Sequence, residues 1–276
     1  MPILSGRARL AGVIGWPVGH SRSPLLHNHW LARHGIDGAY VPMPVAPERF
    51  EVALAGLTAA GFRGVNVTIP HKEAAFRLCV TLDDAARTAG AANTLVFAED
   101  GIHGSLTDGT GLLAHLEASG IDPAAGPALL LGAGGAARGI AAALRARGVA
   151  VTVANRTEAR ADSLAADLPG VRTVAWERTE AALADHALLV NTTALGMQGQ
   201  PALVFSLQAA SPQLAVADVV YAPLETPLLA QARARGLRTA DGLGMLIQQA
   251  RPGFAAWFGV LPEAGPAEHA LLAATL

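Results

Sequence analysis

Lys72 is the residue in this sequence best suited to move a proton. It is the only lysine among 276 residues, and the other basic residues counted with it are arginines. An arginine guanidinium stays protonated at any ordinary pH, whereas a lysine ammonium can lose its proton when it is desolvated. Arginine can serve ion pairing and solubility, so Lys72 is a candidate general acid or base. A solvated surface lysine is the alternative interpretation.

The residues before Lys72 predict a strand that ends beside it. Between residues 64 and 69, β-branched residues alternate with Asn66 and Thr68, which is the two-residue period of a strand. Pro70 should end the strand, because proline has no N–H group for the sheet ladder. Asn66 and Thr68 then share one face and could bind, together with Lys72, the oxygens of a small hydroxylated ligand. A solvated strand face would have the same pattern.

A predicted helix near the start of the chain offers a site for an anion. Ser21 and Ser23 precede Pro24, which suits the first position of a helix that runs to about Arg33. Ser23 is then the N-cap, and this helix end can bind a carboxylate without a basic residue. Capping alone is the alternative interpretation of Ser23.

The stretch from residue 128 to residue 154 has the pattern of a dinucleotide-binding unit. An apolar strand over residues 128–131 is followed by a glycine-rich turn, a helix to about residue 147 and a second strand over residues 150–154. The turn fits G-x-G-x-x-G/A with Ala137 in the last position. Its glycines allow backbone N–H groups to approach a pyrophosphate at the helix N-terminus. The pattern therefore predicts a bound dinucleotide.

The end of the second strand indicates which dinucleotide binds. An NAD site has an acidic residue about twenty residues beyond the glycines, where it holds the ribose hydroxyls. Here that region reads Asn155-Arg156-Thr157, and a guanidinium can pair with a 2′-phosphate that an acid would repel. Arg160, one turn along the next predicted helix, is a second candidate. We therefore predict NADP over NAD; a solvated Arg156 beside a capping Thr157 is the alternative.

Composition and charge argue against several other classes of protein. The chain is 51% hydrophobic, and its net charge of −2 gives no electrostatic footprint for nucleic acid. No apolar run is long enough to span a membrane, and no spacing suits a metal. Cys79 is the only cysteine, so an internal disulfide is impossible and a buried structural thiol is expected. Strands and helices alternate along the first hundred residues, which predicts an α/β protein, and we expect it to be cytoplasmic.

These motifs occur together, and in this order, in one family. The sequence resembles the shikimate dehydrogenase family from end to end. The segments that carry the resemblance are His20-Ser21-Arg22-Ser23-Pro24, His27-Asn28, Asn66 to Lys72, Gly90 to Thr94, Thr107-Asp108, Gly132 to Arg138, Asn155-Arg156-Thr157, Asn191 to Met197, Asp218 to Tyr221 and Gly242 to Ala250.

The resemblance implies a two-domain α/β fold with the active site in a cleft between the domains. The substrate domain would comprise residues 1–106, completed by C-terminal helices within residues 238–276. Residues 107–237 would form the Rossmann-like NADP-binding domain. The implied reaction is the NADP-dependent reduction of 3-dehydroshikimate to shikimate.

The resemblance also implies a set of functional residues. Lys72 and Asp108 would be the catalytic pair. The implied substrate-binding residues are Ser21, Ser23, Asn66, Thr68, Asn93, Tyr221 and Gln249. The implied NADP-binding residues are Gly132, Ala133, Gly134, Gly135, Ala136, Asn155, Arg156, Thr157, Arg160, Thr193, Val219 and Gly242.

Two alternative functions remain open. Leu106 stands where the family usually has asparagine before Thr107-Asp108, which leaves room for quinate or an amino analogue of shikimate as the substrate. The second alternative is a non-catalytic NADP-binding regulatory module, although a sensor needs neither Lys72 nor Asp108. The expected partner is a small-molecule substrate, with no nucleic acid and no membrane, for a monomer or a homodimer.

Overall fold

The structure is a computed structural model that describes residues 4–276. The first predicted domain begins at residue 1, so its first three residues lie outside the described residues. The described chain divides into two compact units. Unit 1 comprises the residues up to Thr107 together with Gln249–Leu272, and unit 2 comprises Asp108–Gln248 together with Ala273–Leu276.

Strands and short helices alternate through the first part of unit 1. In chain order the elements are β1 (Arg9–Gly15), α1 (Ser23–Arg33), β2 (Gly38–Pro44), α2 (Phe50–Ala59), β3 (Gly64–Val67), α3 (Lys72–Leu78), β4 (Thr81–Leu82), α4 (Asp84–Ala89), β5 (Thr94–Ala98) and β6 (Gly101–Ser105).

Unit 2 repeats a strand–helix pattern, and the chain then returns to unit 1. The elements are α5 (Asp108–Ala118), β7 (Ala128–Leu131), α6 (Gly135–Ala146), β8 (Val151–Ala154), α7 (Glu158–Asp167), β9 (Val171–Thr173), α8 (Thr179–Ala182), β10 (Leu188–Asn191), β11 (Ala215–Asp218), α9 (Pro227–Ala234), β12 (Arg238–Ala240), α10 (Gly242–Phe258) and α11 (Pro266–Ala273).

The sheet of unit 1 mixes parallel and antiparallel strands. Among the described residues it has six strands, in the order β2-β1-β3-β5-β6-β4. β1 runs parallel to β2 and β3, whereas β5 runs antiparallel to β3 and β6. The carboxyl ends of β1 and β3 therefore lie side by side, where Ile14 pairs with Val67. The chain leads from these two ends to Ser21 and Ser23 and to Lys72.

The sheet of unit 2 is parallel, with six strands within the described chain in the order β12-β11-β10-β7-β8-β9. The chain enters at β7, moves outward to β9 and returns to the other side of β7 with β10. This is the strand order of a Rossmann fold, in which ligands bind at the carboxyl ends of the strands where the order reverses. β7 is apolar and buried along its length, as expected of a strand covered on both faces. The predicted two-domain α/β fold is confirmed.

The C-terminal helices complete the core of unit 1. The side chains of Phe254 and Phe258 on α10 are fully buried. Trp257 Nε1 donates to the carbonyl oxygen of Leu95 in β5, at 3.0 Å. Arg33 of α1 forms an ion pair with the buried Glu268 of α11, at 2.7 Å. Strands and helices that are far apart in the sequence thus share one hydrophobic core.

Glycine allows the first two helices of unit 2 to pack closely. A Cβ atom at Gly109 of α5 would overlap the carbonyl oxygen of Gly139 and lie 2.7 Å from the Cβ of Ala143, both on α6. The helix that begins with Asp108 is therefore held directly against the helix that follows the glycine-rich turn.

Two local predictions were wrong. Helix α1 begins at Ser23 itself; Arg22 occupies the N-cap position, without a capping hydrogen bond from its side chain. Strand β3 ends at Val67, two residues early, because the chain turns when the His71 N–H donates to the carbonyl oxygen of Thr68. Ile69 therefore lies beyond the strand and is 70% exposed. Within residues 4–276, no helix is both long and apolar enough to cross a membrane.

Candidate functional site

The two serines of the predicted anion site lie where the chain leaves β1 and enters α1. Ser23 is buried and is the first residue of α1, and its N–H donates to Ser21 Oγ at 3.3 Å. The Ser21 N–H donates to the carbonyl oxygen of Val18. This local turn holds both hydroxyls at a helix N-terminus, where the partial positive charge of the helix favours an anion.

Asn66 and Thr68 lie at the carboxyl end of β3. The Thr68 N–H donates to the carbonyl oxygen of Ile14 in β1, at 2.9 Å, so this residue stays attached to the sheet just past the end of the strand. Asn66 is buried and pairs with Thr94 of β5. Its Nδ2 donates to the carbonyl oxygen of Asn93 at 3.1 Å and to Thr94 Oγ1 at 3.0 Å. The Asn66 side chain is thus held in one orientation by main-chain and side-chain oxygens.

Lys72 is the first residue of α3, directly after the turn that ends β3. Its carbonyl oxygen accepts the N–H of Ala92 at 2.9 Å. The preceding residue, His71, is buried, stacks on Phe50 at a centroid distance of 4.5 Å, and places Nε2 2.7 Å from the carbonyl oxygen of Val45. The backbone at Lys72 is therefore held on both sides, so the base of its side chain has a defined position.

Asn93 connects the carboxyl end of β3 with the C-terminal helix α10. Its Nδ2 lies 3.0 Å from Thr107 Oγ1 and 3.3 Å from Gln249 Oε1, and its Oδ1 accepts the Thr107 N–H at 2.9 Å. Asn93 and Gln249 are both buried. Unit 1 therefore brings Asn66, Asn93 and Gln249 into one hydrogen-bonded cluster, although they are far apart in the sequence.

The single cysteine has no place in this cluster. Cys79 Sγ donates to the carbonyl oxygen of Ala75 at 3.1 Å, and burial raises the pKa of its thiol to about 11. A thiol that stays protonated is a poor nucleophile. Cys79 is only half-buried, where a buried thiol was expected, and its structural role stays a prediction. The structure also has no group of three or more potential metal-ligating side chains within residues 4–276.

The glycine-rich turn of unit 2 has the geometry that a dinucleotide site needs. Gly132 adopts a φ of 110°, and a Cβ atom there would lie 3.2 Å from Thr193 Cγ2. Only glycine adopts this conformation readily. Gly134 is the N-cap of α6, and a Cβ atom on it would meet nothing within 4 Å. The backbone N–H groups at the start of α6 are therefore accessible to a phosphate group. Ala133, Gly135 and Ala136 belong to the same turn and helix start.

The two predicted 2′-phosphate arginines lie beyond the carboxyl end of β8. Arg156 and Arg160 are both exposed. No ion pair with an acidic group involves either guanidinium in the described part of the chain. Asn155 Nδ2 donates to the carbonyl oxygen of Thr157 at 2.9 Å, which closes the turn before α7. Thr157 occupies the N-cap position of α7 without a capping hydrogen bond.

Three further predicted NADP-binding residues, Thr193, Val219 and Gly242, follow the carboxyl ends of the neighbouring strands β10, β11 and β12. Thr193 donates through both N–H and Oγ1 to Asn191 Oδ1, at 3.1 and 2.7 Å. The Val219 N–H donates to the carbonyl oxygen of Asn191 at 3.0 Å. A Cβ atom at Gly242 would lie 2.5 Å from the carbonyl oxygen of Val219. Unit 2 thus places these three residues together, beside the glycine-rich turn.

The buried carboxylate of Asp218 forms hydrogen bonds with residues at the ends of β10 and β11. Asp218 Oδ1 accepts from Asn191 Nδ2 at 2.9 Å and from the Val220 N–H at 3.0 Å, and Oδ2 accepts from Thr226 Oγ1 at 2.8 Å. Burial raises the pKa of Asp218 to about 6, against the opposing effect of these hydrogen bonds. Asn191 and Asp218 therefore link the two loops that carry Thr193 and Val219.

The remaining predicted site residues belong to unit 2. Asp108 is buried and is the first residue of α5, and Tyr221 follows the carboxyl end of β11 and is half-buried. All other predicted substrate residues belong to unit 1. That Asp108 and Tyr221 act in one catalytic centre with these residues of unit 1 is a proposal.

Sequence reasoning missed several residues that hold the site together. Tyr40, Thr94 and Thr107 all form hydrogen bonds with predicted substrate residues. Thr94 and Thr107 belong to the same sequence motifs as Asn93 and Asp108, so their positions in these motifs could have identified them. Tyr40 lies in a plain strand pattern, and nothing in its local sequence indicated its contact with Asn66.

Unit 2 is a dinucleotide-binding fold by its strand order and its glycine-rich turn. Comparison with known proteins narrows this class. Residues 13–95 match the model of the shikimate dehydrogenase substrate binding domain, and residues 117–221 match that of shikimate / quinate 5-dehydrogenase. The shikimate dehydrogenase (NADP(+)) of Acidiphilium cryptum (strain JF-5) is 61% identical over 274 residues, covering 99% of both chains.

Solved structures agree with this comparison. The shikimate 5-dehydrogenase of Thermus thermophilus, in complex with NADP(H) and shikimate, has a TM-score of 0.87 and 38% identity, covering 95% of this chain and 98% of its own. A quinate dehydrogenase from Corynebacterium glutamicum, in complex with NAD, has a TM-score of 0.88 at 29% identity, covering 98% and 99%. The chain belongs to the shikimate dehydrogenase family, and the predicted resemblance is confirmed.

Proposed function

We propose that this protein is an NADP-dependent shikimate dehydrogenase, which reversibly reduces 3-dehydroshikimate to shikimate in aromatic amino-acid biosynthesis. The observation that carries the proposal is the position of Lys72. The one lysine of the chain begins α3, with its backbone fixed by Ala92, directly after the strand that carries Asn66. Family membership supports the same reaction.

Unit 1 supplies most of the proposed substrate contacts. Ser21 and Ser23 bind the carboxylate at the N-terminus of α1, where no basic side chain is required. Thr68, Asn93 and Gln249 provide further polar groups for the ring substituents. We assign Asn66 to one hydroxyl group of the substrate. We assign Tyr221 to the same substrate.

Proton transfer is the proposed task of Lys72. NADPH, when bound, supplies the hydride for the carbonyl carbon. The Lys72 ammonium donates a proton to the carbonyl oxygen as the hydride is transferred, which prevents an alkoxide from accumulating. In the oxidation direction the neutral amine accepts the proton of the same hydroxyl. Asp108 accepts a hydrogen bond from a substrate hydroxyl and so orients the ring.

The residues of unit 2 fit NADP. Gly132 and Gly134 leave the start of α6 open to the pyrophosphate, and the exposed Arg156 and Arg160 offer two guanidinium groups for a 2′-phosphate. The other proposed contacts come from residues already placed near these groups: Ala133, Gly135, Ala136, Asn155, Thr157, Thr193, Val219 and Gly242.

Two substitutions at one position test the proposal. General acid–base groups typically contribute about 10²- to 10⁴-fold to the rate, so we expect Lys72→Ala to lower kcat by that factor with a modest change in KM. Lys72→Arg is the matched control. It keeps the positive charge, but a guanidinium does not release its proton at the pH of the reaction. It should bind substrate nearly as well as the natural enzyme and still fail to turn it over. An unchanged kcat in Lys72→Ala, or full activity in Lys72→Arg, would remove Lys72 from the mechanism.

Leu106 leaves room for a second candidate substrate. It is 2% exposed and replaces the asparagine usual in the family, and the family also includes quinate dehydrogenases. Initial rates on shikimate and quinate, each with NADP and NAD, separate the candidates. We expect the highest kcat/KM for shikimate with NADP. Preference for quinate would identify the paralogue, and an aminated analogue of shikimate can be added as a third substrate.

A non-catalytic regulatory module is the remaining alternative. Cofactor binding without turnover of any cyclohexene or cyclohexane acid would favour it. We further propose that the protein works in the cytoplasm, since its one cysteine suits a reducing compartment, and that it is a monomer or a homodimer. Sedimentation of the purified chain measures its oligomeric state.

A further inference from the structure

A buried pair of stacked rings lies behind the proposed substrate site in unit 1. The rings of His27 and Tyr40 are parallel within 5°, with centroids 3.9 Å apart, and neither residue is more than 1% exposed. Neither ring nitrogen of His27 has a hydrogen-bond partner within the described residues, and burial lowers the pKa of His27 to about 3. This imidazole therefore stays neutral and acts as a flat surface that fixes the plane of the Tyr40 ring.

The backbone of Tyr40 is held by the next residue of the same helix. Asn28 Oδ1 accepts the Tyr40 N–H at 3.1 Å, and Asn28 Nδ2 donates to the Tyr40 carbonyl oxygen at 2.8 Å. Two consecutive residues of α1 therefore restrain both the main chain and the ring of Tyr40. The same helix begins at Ser23, so α1 connects Tyr40 with the proposed carboxylate site.

The Tyr40 hydroxyl group donates to Asn66 Oδ1, at 2.6 Å. The direction of this hydrogen bond follows from the other partners of Asn66. Its Nδ2 lies 3.1 Å from the main-chain carbonyl oxygen of Asn93, which can only accept. Oδ1 must therefore face Tyr40, which donates. Burial raises the pKa of Tyr40 well above its usual value, so the phenol keeps its proton.

These contacts leave the Asn66 amide one lone pair of Oδ1 with which to bind a ligand. Both Nδ2 hydrogens are used, by Asn93 and by Thr94 Oγ1, and one of the two lone pairs of Oδ1 is used by Tyr40. A carboxamide has two donor hydrogens and two acceptor lone pairs. Asn66 can therefore offer a substrate only an acceptor, and the group it recognises must be a donor.

We propose that Tyr40 is a positioning residue for substrate recognition, which holds the Asn66 amide so that it accepts a hydrogen bond from a substrate hydroxyl. The inference rests on the proposed function and on the assignment of Asn66 to the substrate site. A ketone oxygen cannot donate, so the partner of Asn66 is a hydroxyl that the reaction leaves unchanged. Tyr40 thereby contributes to selection of hydroxylated ring acids over their deoxy analogues.

Tyr40→Phe tests the proposal because it keeps the stacked ring and removes only the hydroxyl group. The Asn66 amide then keeps its contacts to Asn93 and Thr94 but loses the donor that holds Oδ1, which is left partly unsatisfied. We expect the KM for shikimate to rise about tenfold, the factor that corresponds to one lost hydrogen bond. The KM for NADP and the kcat should change less than twofold.

Thr179→Val is the control for a purely structural effect. Thr179 is buried in unit 2, outside the proposed site, and its Oγ1 donates to the carbonyl oxygen of Trp176 at 2.6 Å. This variant also loses one hydrogen bond made by a buried side chain, so its melting temperature should fall by a similar amount, with both KM values unchanged. If Tyr40→Phe also left the KM for shikimate unchanged, or raised both KM values equally, the positioning role would be wrong.

A second approach uses shikimate analogues that lack one hydroxyl. For the analogue without the hydroxyl that Asn66 binds, the loss of affinity in the natural protein should shrink in Tyr40→Phe, because both changes remove the same interaction. Additive losses for every analogue would contradict the proposal. If Tyr40→Phe folds poorly, Asn28→Ala at an exposed position replaces it as the test variant. It should also raise the KM for shikimate. Absence of shikimate turnover in the natural protein would instead overturn the proposed function itself.

Discussion

Replacing Asp218 with asparagine should change how the stability of the protein depends on pH. Asp218 is 1% exposed, and three groups donate hydrogen bonds to its carboxylate: Asn191 Nδ2, the Val220 N–H and Thr226 Oγ1. Asparagine has nearly the same shape. Its Oδ1 can still accept from Asn191 and Val220, and its Nδ2 can donate to Thr226 Oγ1, which can accept. The substitution therefore removes the buried charge with little change in packing.

The expected magnitude follows from the pKa of the carboxyl group. Burial disfavours the charged form and raises the pKa of Asp218 from 3.8 to about 6, which corresponds to about 3 kcal/mol. Below pH 3.8 the group is protonated in both the folded and the unfolded chain and contributes nothing. Between the two pKa values only the folded chain keeps its proton. The natural protein therefore loses about 3 kcal/mol of stability from this group as the pH rises from about 4 to 6, and no more above that.

Urea unfolding at a series of pH values from 4 to 7.5, at constant ionic strength, measures this effect. The stability of Asp218→Asn relative to the natural protein should rise by about 3 kcal/mol across this range and then stay constant. Asp185→Asn, which removes an exposed carboxylate from the same unit, controls for the change in net charge. A difference that is independent of pH, or that falls as the pH rises, would refute the claim that Asp218 carries a buried and costly charge.

Three further substitutions have definite expected outcomes. Arg156→Ala should weaken NADP binding by about 1.5–3 kcal/mol and leave NAD binding nearly unchanged, measured by titration calorimetry; equal losses would contradict the 2′-phosphate role. Gly109→Ala should lower the free energy of unfolding by about 1–3 kcal/mol, and with it the melting temperature, because its Cβ would overlap the carbonyl oxygen of Gly139; an unchanged melting temperature would show that α5 can shift. Glu268→Ala should destabilise unit 1 by about 1–3 kcal/mol in urea unfolding, since it removes a buried partner of an arginine. Glu263→Ala is the matched control, because it removes an exposed partner of the same arginine. It should lower the free energy of unfolding much less.

Much of unit 2 could be predicted from the sequence because its signals are local. The strand, glycine-rich turn and helix over residues 128–147 are consecutive, so one window contains the whole motif. The conformation of Gly132, with φ at 110°, is what the motif leads one to expect. The ends of elements were predicted less well. β3 is two residues shorter than its alternation indicates, because a turn hydrogen bond at Thr68 competes with the sheet.

The support of the proposed site could not be predicted in the same way. Asn66 was identified from its strand and its neighbours, but its orientation depends on Tyr40, 26 residues earlier, and on Asn93, 27 residues later. Asp218 belongs to a motif of the family, yet its role as a link between two loops depends on Asn191, again 27 residues away. Such contacts form only when strands pair.

The sequence by itself determined the chemistry available to this protein: one lysine able to exchange a proton, a turn able to bind a pyrophosphate, and arginines able to bind a 2′-phosphate. These are properties of residue types and of short segments, and they do not depend on distant parts of the chain. The tertiary structure alone decided how the polar groups are oriented, for example that Asn93 meets Gln249 from 156 residues away. The physical reason is that a buried amide takes its orientation from whichever donors and acceptors surround it, and packing brings those together.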